Sequence, residues 1–287
     1  MKPKFLTALL IVLIGLGYSV IGNAKENGSS EKDFQKIYGK ADYACWAMTF
    51  FEANGKIGPS IKTGGAVLIN YGSCFAVDFS SKTRIIASAH LSVFDPESAL
   101  KFINENIVGN PALSWTEISS ITILKTFVIF KSTNDISLAN APEDIYFNSV
   151  STDTMIPAEF EKMDYEADLA QLKPTDPKDY QKIKTGILGN SDKLLIGEKV
   201  MSIGNPLDHT FVASFGQITH FHVEKIKNKI FRHILTSEMS GPGNSGGPLL
   251  NQEGEIVGIC KGAYFINPHF GIFIPSNDIK DYLKKNK

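Results

Sequence analysis

The chain has 287 residues, 43% of them hydrophobic, with a formal net charge of −1 at pH 7. A near-neutral balance of 29 Lys and Arg against 30 Asp and Glu argues against nucleic acid as a main partner, because neutralising a phosphate backbone takes a clustered cationic surplus. The apolar fraction supplies a substantial core, and the 13 prolines and 24 glycines spread along the chain fit many short strands joined by turns.

Met1-Lys2-Pro3-Lys4 and the apolar run from Phe5 to Gly22 have the profile of an export signal, and Gly22-Asn23-Ala24 offers the small residues that a signal peptidase reads. Residues 1–24 are therefore expected to be removed, leaving a periplasmic or secreted protein. The competing reading keeps the run as a membrane anchor. No cysteine stands near Ala24, which argues against a lipoprotein anchor. Residues 25–44 read as an N-terminal arm, and Phe34 and Ile37 among mixed charges suit a short helix.

Strands are predicted next at Cys45–Phe51, Gly65–Asn70, Cys74–Phe79 and Arg84–Ser88, within Ile121–Phe130, and at Asp168–Leu172. The long span between His90 and Asp168 reads as loops at Asn104–Thr116 and Ser132–Asp144 with a helical turn at Glu159–Tyr165, either shaping a cleft or decorating the surface. Lys173-Pro174-Thr175-Asp176-Pro177 breaks regular structure and marks the passage to a second unit. Six strands follow, at Lys199–Ile203, Phe211–Thr219, Ile230–Ser237, Gly247–Asn251, Ile256–Lys261 and Phe270–Ile274. Ser276-Asn277-Asp278 is expected to cap a final helix whose basic end, Lys284-Lys285-Asn286-Lys287, complements the helix dipole.

Cys45, Cys74 and Cys260 allow at most one internal disulfide, and buried unpaired thiols are the favoured reading. His220, His222 and His233 read as a solvated or hydrogen-bonded strand face rather than a metal site, so no metal is expected.

The most informative stretch is Gly243-Asn244-Ser245-Gly246-Gly247-Pro248. It combines a serine with glycines that let the backbone turn, so that the N–H groups of Gly243 and Ser245 can converge on one point. Gly246 and Gly247 are expected to leave room for a substrate. Upstream, Arg84-Ile85-Ile86-Ala87-Ser88-Ala89-His90 ends an apolar strand on a histidine, and Asp168-Leu169-Ala170-Gln171-Leu172 opens an alternating strand on an acid. Asp164 and Glu166 are nearby alternatives to Asp168. The order His, Asp, Ser excludes the α/β-hydrolase and subtilisin arrangements, in which the acid and histidine fall elsewhere along the chain.

With these residues in place the chain resembles the chymotrypsin-like (trypsin-fold) serine peptidases. Gly72-Ser73-Cys74-Phe75, Ile203-Gly204-Asn205-Pro206, Gly254-Glu255-Ile256-Val257-Gly258-Ile259 and Gly271-Ile272-Phe273-Ile274-Pro275-Ser276 resemble signatures of the bacterial HtrA/Deg-type protease domain. The resemblance implies an all-β fold of two packed six-stranded antiparallel barrels with a short C-terminal helix. The first barrel would run over 45–185 and the second, with the helix, over 186–287, leaving no length for a PDZ module.

It also implies an exported endopeptidase that cuts a polypeptide substrate through an acyl-enzyme and needs no cofactor. His90, Asp168 and Ser245 would form the triad, and the N–H groups of Gly243 and Ser245 the oxyanion hole. Met239, Ser240, Lys261, Gly262, Ala263, Gly271 and Phe273 would line the primary substrate pocket. With no carboxylate expected at its base, a small or medium apolar side chain is the default preference. Asn244 stands where relatives that mature by a cut carry an aspartate, so activation by a new N-terminus is not expected. Lys261 and Phe273 depart from the residues usual at their positions, and occlusion of the pocket would make the chain a polypeptide-binding protein with little or no activity.

Overall fold

The computed structural model describes residues 30–57, 62–91, 115–131, 155–206, 209–226, 229–238, 240–264 and 270–286. The expected signal segment 1–24, the loop at 132–144 and all but the last two residues of the loop at 104–116 lie outside them.

Among the described residues, twelve strands form two closed six-stranded antiparallel barrels. The first contains β1 (Ala44–Ile57), β2 (Lys62–Asp78), β3 (Thr83–Ala87), β4 (Trp115–Phe130), β5 (Met155–Asp164) and β6 (Leu169–Pro174), ordered β1-β2-β3-β6-β5-β4 and closed by pairing of β1 with β4. The second contains β7 (Lys199–Gly204), β8 (Val212–Ile226), β9 (Lys229–Thr236), β10 (Pro248–Leu250), β11 (Ile256–Tyr264) and β12 (Phe270–Pro275), ordered β10-β11-β12-β9-β8-β7 and closed by β7 on β10. Among the described residues two helices flank them, α1 (Ser30–Lys40) before β1 and α2 (Ser276–Lys285) after β12.

Strand alternation explains how one chain buries two faces. In β3, Ile85 packs with Cys74, Val128 and Leu172 inside the first barrel, while its neighbour Ile86 joins a cluster that also contains Met201 and Ile203 of the second. In β7, Val200 turns inward to Ile218, Ile234 and Phe273, whereas Met201 faces the seam. Period-two side chains thus supply a barrel interior and an inter-barrel interface from the same strands. Each fully buried Ile or Met contributes about 1.5–3 kcal/mol relative to exposure. The β2–β3 hairpin turns on Ser80 and Ser81, both left-handed at φ 55° and 60°, with Phe79 and Lys82 exchanging backbone hydrogen bonds.

Four expectations change. The segment Glu159–Tyr165 is not a helical turn: β5 runs through it to Asp164, with Ile156 and Ala158 buried and Pro157 and Glu159 exposed, and Tyr165 begins the turn that follows. Its two-residue period is short and is masked by the charged run that follows. Gly65–Asn70 and Cys74–Phe79 are one strand, β2, because β1 pairs with it continuously from Ile57↔Lys62 to Ala44↔Phe75.

That register also sets Cys45 directly opposite Cys74, with Cα atoms 4.9 Å apart, and the two form a disulfide; only Cys260 remains free, and it is buried. Finally, α2 is capped by neither Ser276 nor Asp278. The Ser276 hydroxyl donates to the Gly189 carbonyl (2.9 Å), and Asp278 accepts from Arg232 (2.9 Å), so both side chains dock the helix onto the second barrel. The arm is helical as expected: α1 lays Phe34 edge-on to Phe215 and hydrogen-bonds Tyr38 Oη to the Phe211 carbonyl.

Candidate active site

His90 sits on a 3-10 turn, Ala89–Leu91, just past the end of β3, held by a hydrogen bond from Leu91 N–H to Ser88 O (3.1 Å). Asp168 stands immediately before β6, in the left-handed conformation at φ 56°, which Asp tolerates better than most residues. Because β3 and β6 pair, with Ala87 opposite Ala170, the two residues meet at one barrel end. The Asp168 carboxylate accepts from the His90 backbone N–H (3.0 Å) and contacts His90 Nδ1 at 2.9 and 3.0 Å. Its side chain is only 11% exposed, whereas that of His90 is 44% exposed. A carboxylate on Nδ1 leaves Nε2 as the ring's free acceptor, the tautomer a general base requires. Asp164 instead accepts from the N–H groups of Glu166 and Ala167, and Glu166 pairs with Lys229, so neither alternative reaches His90.

Ser245 comes from the segment before β10 and is held between the barrels. Its carbonyl accepts from Ser73 N–H of β2 (2.8 Å), and the next residue, Gly246, donates to the Cys260 carbonyl of β11 (2.7 Å). The Ser88 hydroxyl, two residues before His90, also donates to the Cys260 carbonyl (3.0 Å), which brings the histidine turn against the serine loop. The Ser245 hydroxyl itself donates to the Lys261 carbonyl at 3.4 Å.

Gly241-Pro242-Gly243-Asn244 forms a turn closed by Asn244 N–H on Gly241 O (3.1 Å), with proline second and Gly243 third at φ 97°. Those are the marks of a type II turn. In a type I turn the central peptide is rotated by about 180°, and the Gly243 N–H faces the other way. Among the described residues, the N–H groups of Asn244, Gly246 and Gly247 have backbone acceptors, while those of Gly243 and Ser245 have none.

The glycines do not clear space for a substrate as expected. A Cβ on Gly246, which lies at φ 87°, would collide with the Ser73 carbonyl, and one on Gly247 with the Ile203 carbonyl. Their role is to let the two barrels close on the loop. Ser73 and Asn205 complete the clamp, and the motif spacing assigned neither a role. The Ser73 hydroxyl donates to Gly243 O (2.7 Å) and accepts from Asn205 N–H (3.0 Å) and Nδ2 (2.9 Å), while Asn205 Oδ1 accepts from Phe211 N–H (2.9 Å).

Of the expected pocket residues, Met239 lies outside the described set. Ser240 Oγ is 3.1 Å from Cys260 Sγ, whose thiol pKa burial pushes up to about 12. Lys261, Gly262 and Ala263 are half-buried, and Lys261 directs its ammonium to His233 Nε2 at 3.2 Å. Gly271 and Phe273 are buried in β12, Phe273 fully and within the second barrel's core.

Glu238 precedes Met239 in the chain and is buried, with burial pushing its pKa up to about 8. It is 1% exposed, and the Ser202 hydroxyl and amide stand near its carboxylate. Its sequence signal is an acid among the polar residues ahead of Ser245. His233 faces His222 across the β8–β9 pair with rings nearly parallel, and burial together with Lys261 lowers its pKa to about 4.

A family model for the trypsin-like peptidase domain matches residues 72–259. A probable periplasmic serine endoprotease DegP-like of Pseudomonas fulva (strain 12-X) is 35% identical over 171 residues, 55% of this chain and 34% of that protein. Serine protease Do-like HtrB of Bacillus subtilis (strain 168) is 34% identical over 106 residues, 34% of this chain and 23% of that protein. The aligned region thus spans about a third or less of these relatives' length. The HtrA-type protease AlgW, solved with a decapeptide, shares the fold at a TM-score of 0.57 and 15% identity, over 88% of this chain and 67% of that one. Family model, relatives and barrel topology agree, and the chain belongs to the trypsin-like peptidase family, with an HtrA-like protease domain.

Proposed function

We propose that the protein is an exported serine endopeptidase that hydrolyses peptide bonds in polypeptides through an acyl-enzyme. The observation that carries this reading is the contact of Asp168 with both the backbone and Nδ1 of His90, beside a loop that presents Ser245 and two unengaged N–H groups. In this reading His90 Nε2 takes the Ser245 proton as the hydroxyl leaves the Lys261 carbonyl and attacks the scissile carbon. Asp168 steadies the imidazolium, which then protonates the leaving amine. The N–H groups of Gly243 and Ser245 hold the oxyanion, where losing one donor costs about 3 kcal/mol of barrier. The type II turn supports an oxyanion loop organised without N-terminal cleavage, since Asn244 offers no carboxylate to a new ammonium.

Export is supported by the periplasmic names of relatives and by the Cys45–Cys74 bridge, which suits an oxidising compartment. The test is labelling by a fluorophosphonate probe. The wild type is expected to label and Ser245→Ala to remain unlabelled, with hydrolysis of casein lost in parallel. One observation favours a second reading, a trypsin-fold binder of polypeptides: the Ser245 hydroxyl bonds the Lys261 carbonyl and not His90. A folded wild type that neither labels nor cuts supports the binder.

A further inference from the structure

Tyr38 of α1 begins an unbroken chain of hydrogen bonds that ends in the Ser245 loop. Its hydroxyl donates to the Phe211 carbonyl (2.8 Å), and the Phe211 N–H donates to Asn205 Oδ1 (2.9 Å). Asn205 in turn donates through its backbone N–H (3.0 Å) and its side-chain amide (2.9 Å) to the Ser73 hydroxyl, which donates to Gly243 O (2.7 Å). The Ser73 N–H also holds the Ser245 carbonyl (2.8 Å). A helix 173 residues from Phe211 along the chain thereby reaches the segment that carries Ser245.

Phe211 is the link through which the helix acts. It is buried and left-handed, at φ 55°, a conformation that bulky residues rarely adopt and that persists only where the surroundings hold it. Both of its backbone polar groups are gripped, the N–H by Asn205 and the C=O by Tyr38. With the phenol gone, the strained residue is released on its carbonyl side and can relax toward negative φ, carrying its N–H away from Asn205. Gly243 rests directly on Asn205: a Cβ on Gly243 would collide with the Asn205 carbonyl, so a shift of one displaces the other.

Both barrels place Tyr38 for this task. Lys131, the residue after β4, sets its ammonium 4.3 Å from the centre of the Tyr38 ring, and Phe211 leads into β8. Phe34 and Ile37 share the docked face of the helix, Phe34 edge-on to Phe215 and Ile37 against the same core cluster, while Asp33, Gln35, Lys36 and Gly39 are exposed. A helix of 11 residues has little stability by itself, so α1 keeps its shape only while this face is seated. Among the described residues, none of α1 belongs to either barrel's interior cluster, so the barrels stay closed when the helix lifts. Burial raises the Tyr38 pKa, which keeps the phenol a donor.

We propose that Tyr38 is a positioning residue for the Ser245 loop, and that the docking of α1 sets this loop through Phe211, Asn205 and Ser73. For its effect on rate the inference rests on the endopeptidase reading. The coupling runs through neutral hydrogen bonds and requires neither a cut chain nor a buried ammonium. Once α1 undocks, the turn at 241–244 loses its hold on the first barrel.

The test compares Tyr38→Phe with the wild type by two readouts. The substitution deletes one oxygen and keeps the ring under Lys131, so the protein folds. Hydrogen–deuterium exchange is expected to quicken about fivefold or more at the N–H groups of Asn244, Gly246 and Gly247, with the strands of both barrels exchanging as before. The saturating rate of fluorophosphonate labelling is expected to fall about five- to tenfold at an unchanged half-saturating probe concentration, a split that a general loss of stability does not produce. Adding Ser73→Ala to Tyr38→Phe is expected to change loop exchange little further, because both break one chain; fully additive effects overturn the proposal. Unchanged exchange in the loop also overturns it. A wild type that never labels refutes the endopeptidase reading, and loop exchange alone then decides the role of Tyr38. A Tyr38→Phe protein that labels as fast as a reactive wild type overturns the role of Tyr38 and leaves the endopeptidase reading standing.

Discussion

The Ser73 hydroxyl of the first barrel donates a 2.7 Å hydrogen bond to the carbonyl of Gly243, in the loop that precedes Ser245. The bond fixes the Gly243–Asn244 peptide, the unit that follows the one carrying the Gly243 N–H, and so anchors the C-terminal half of the turn to the first barrel. Ser73→Ala removes this anchor and strands two Asn205 donors. Unfolding in urea is expected to show a loss of about 1–3 kcal/mol, and kcat/KM on a peptide substrate should fall more than stability alone explains. An unchanged kcat/KM would show that the loop keeps its shape without the anchor.

Gly246→Ala tests the closeness of the barrels. The residue lies at φ 87°, and a Cβ there meets backbone, the Ser73 carbonyl, which has little freedom to retreat. A loss of about 3 kcal/mol or more is expected, read as a large drop in Tm. A variant melting like the wild type contradicts the packing described here.

Two buried groups set opposing slopes in stability against pH. His233 has a folded pKa near 4, below its unfolded value, so the unfolded chain binds more protons between about pH 4 and 6.5. Its contribution is present above that window and is lost as pH falls through it. Glu238 behaves the other way: its pKa is raised to about 8, so stability is lost as pH rises from about 4.5 to about 8. Between about pH 4.5 and 6.5 the two slopes offset each other, so stability there, read by denaturant titration, should fall with rising pH in His233→Gln and climb in Glu238→Gln, and above about pH 6.5 only Glu238→Gln should flatten the curve. Parallel curves for wild type and variant would remove the assigned residue as the cause.

The Cys45–Cys74 bridge closes a separation of 29 residues between paired strands. Replacing both cysteines with alanine should cost about 2–4 kcal/mol, while Cys260→Ser, which alters no bridge, should not reproduce the effect of reductant on the wild type. Thermal melting with and without reductant makes the comparison, and a wild type indifferent to reductant contradicts it.

The strands legible beforehand were those whose apolar residues are dense or alternate cleanly, such as Ile85-Ile86 in β3 and the whole set from β7 to β12. β5 was not, because Ile156 and Ala158 are its only buried alternating pair before charged residues take over. The disulfide was hidden for a different reason. Pairing depends on the β1–β2 register, and nothing in the spacing of Cys45 and Cys74 reveals that a single long strand carries one opposite the other. At the site, His90, Asp168 and Ser245 stand in motifs and could be read directly. Ser73 and Asn205 lie inside legible motifs, but their role resides in hydrogen bonds across more than a hundred residues of chain, and the burial of Glu238 exists only once the second barrel closes.

The Ser245 segment draws one backbone hydrogen bond from β2 and gives another to β11. Neither half of the molecule alone can therefore shape the Ser245 loop, and in the endopeptidase reading a fragment comprising one cylinder would be inert however well it folded. In that reading turnover gauges how firmly the halves are docked: on warming, hydrolysis is expected to fade as they begin to part, ahead of the melting of either one.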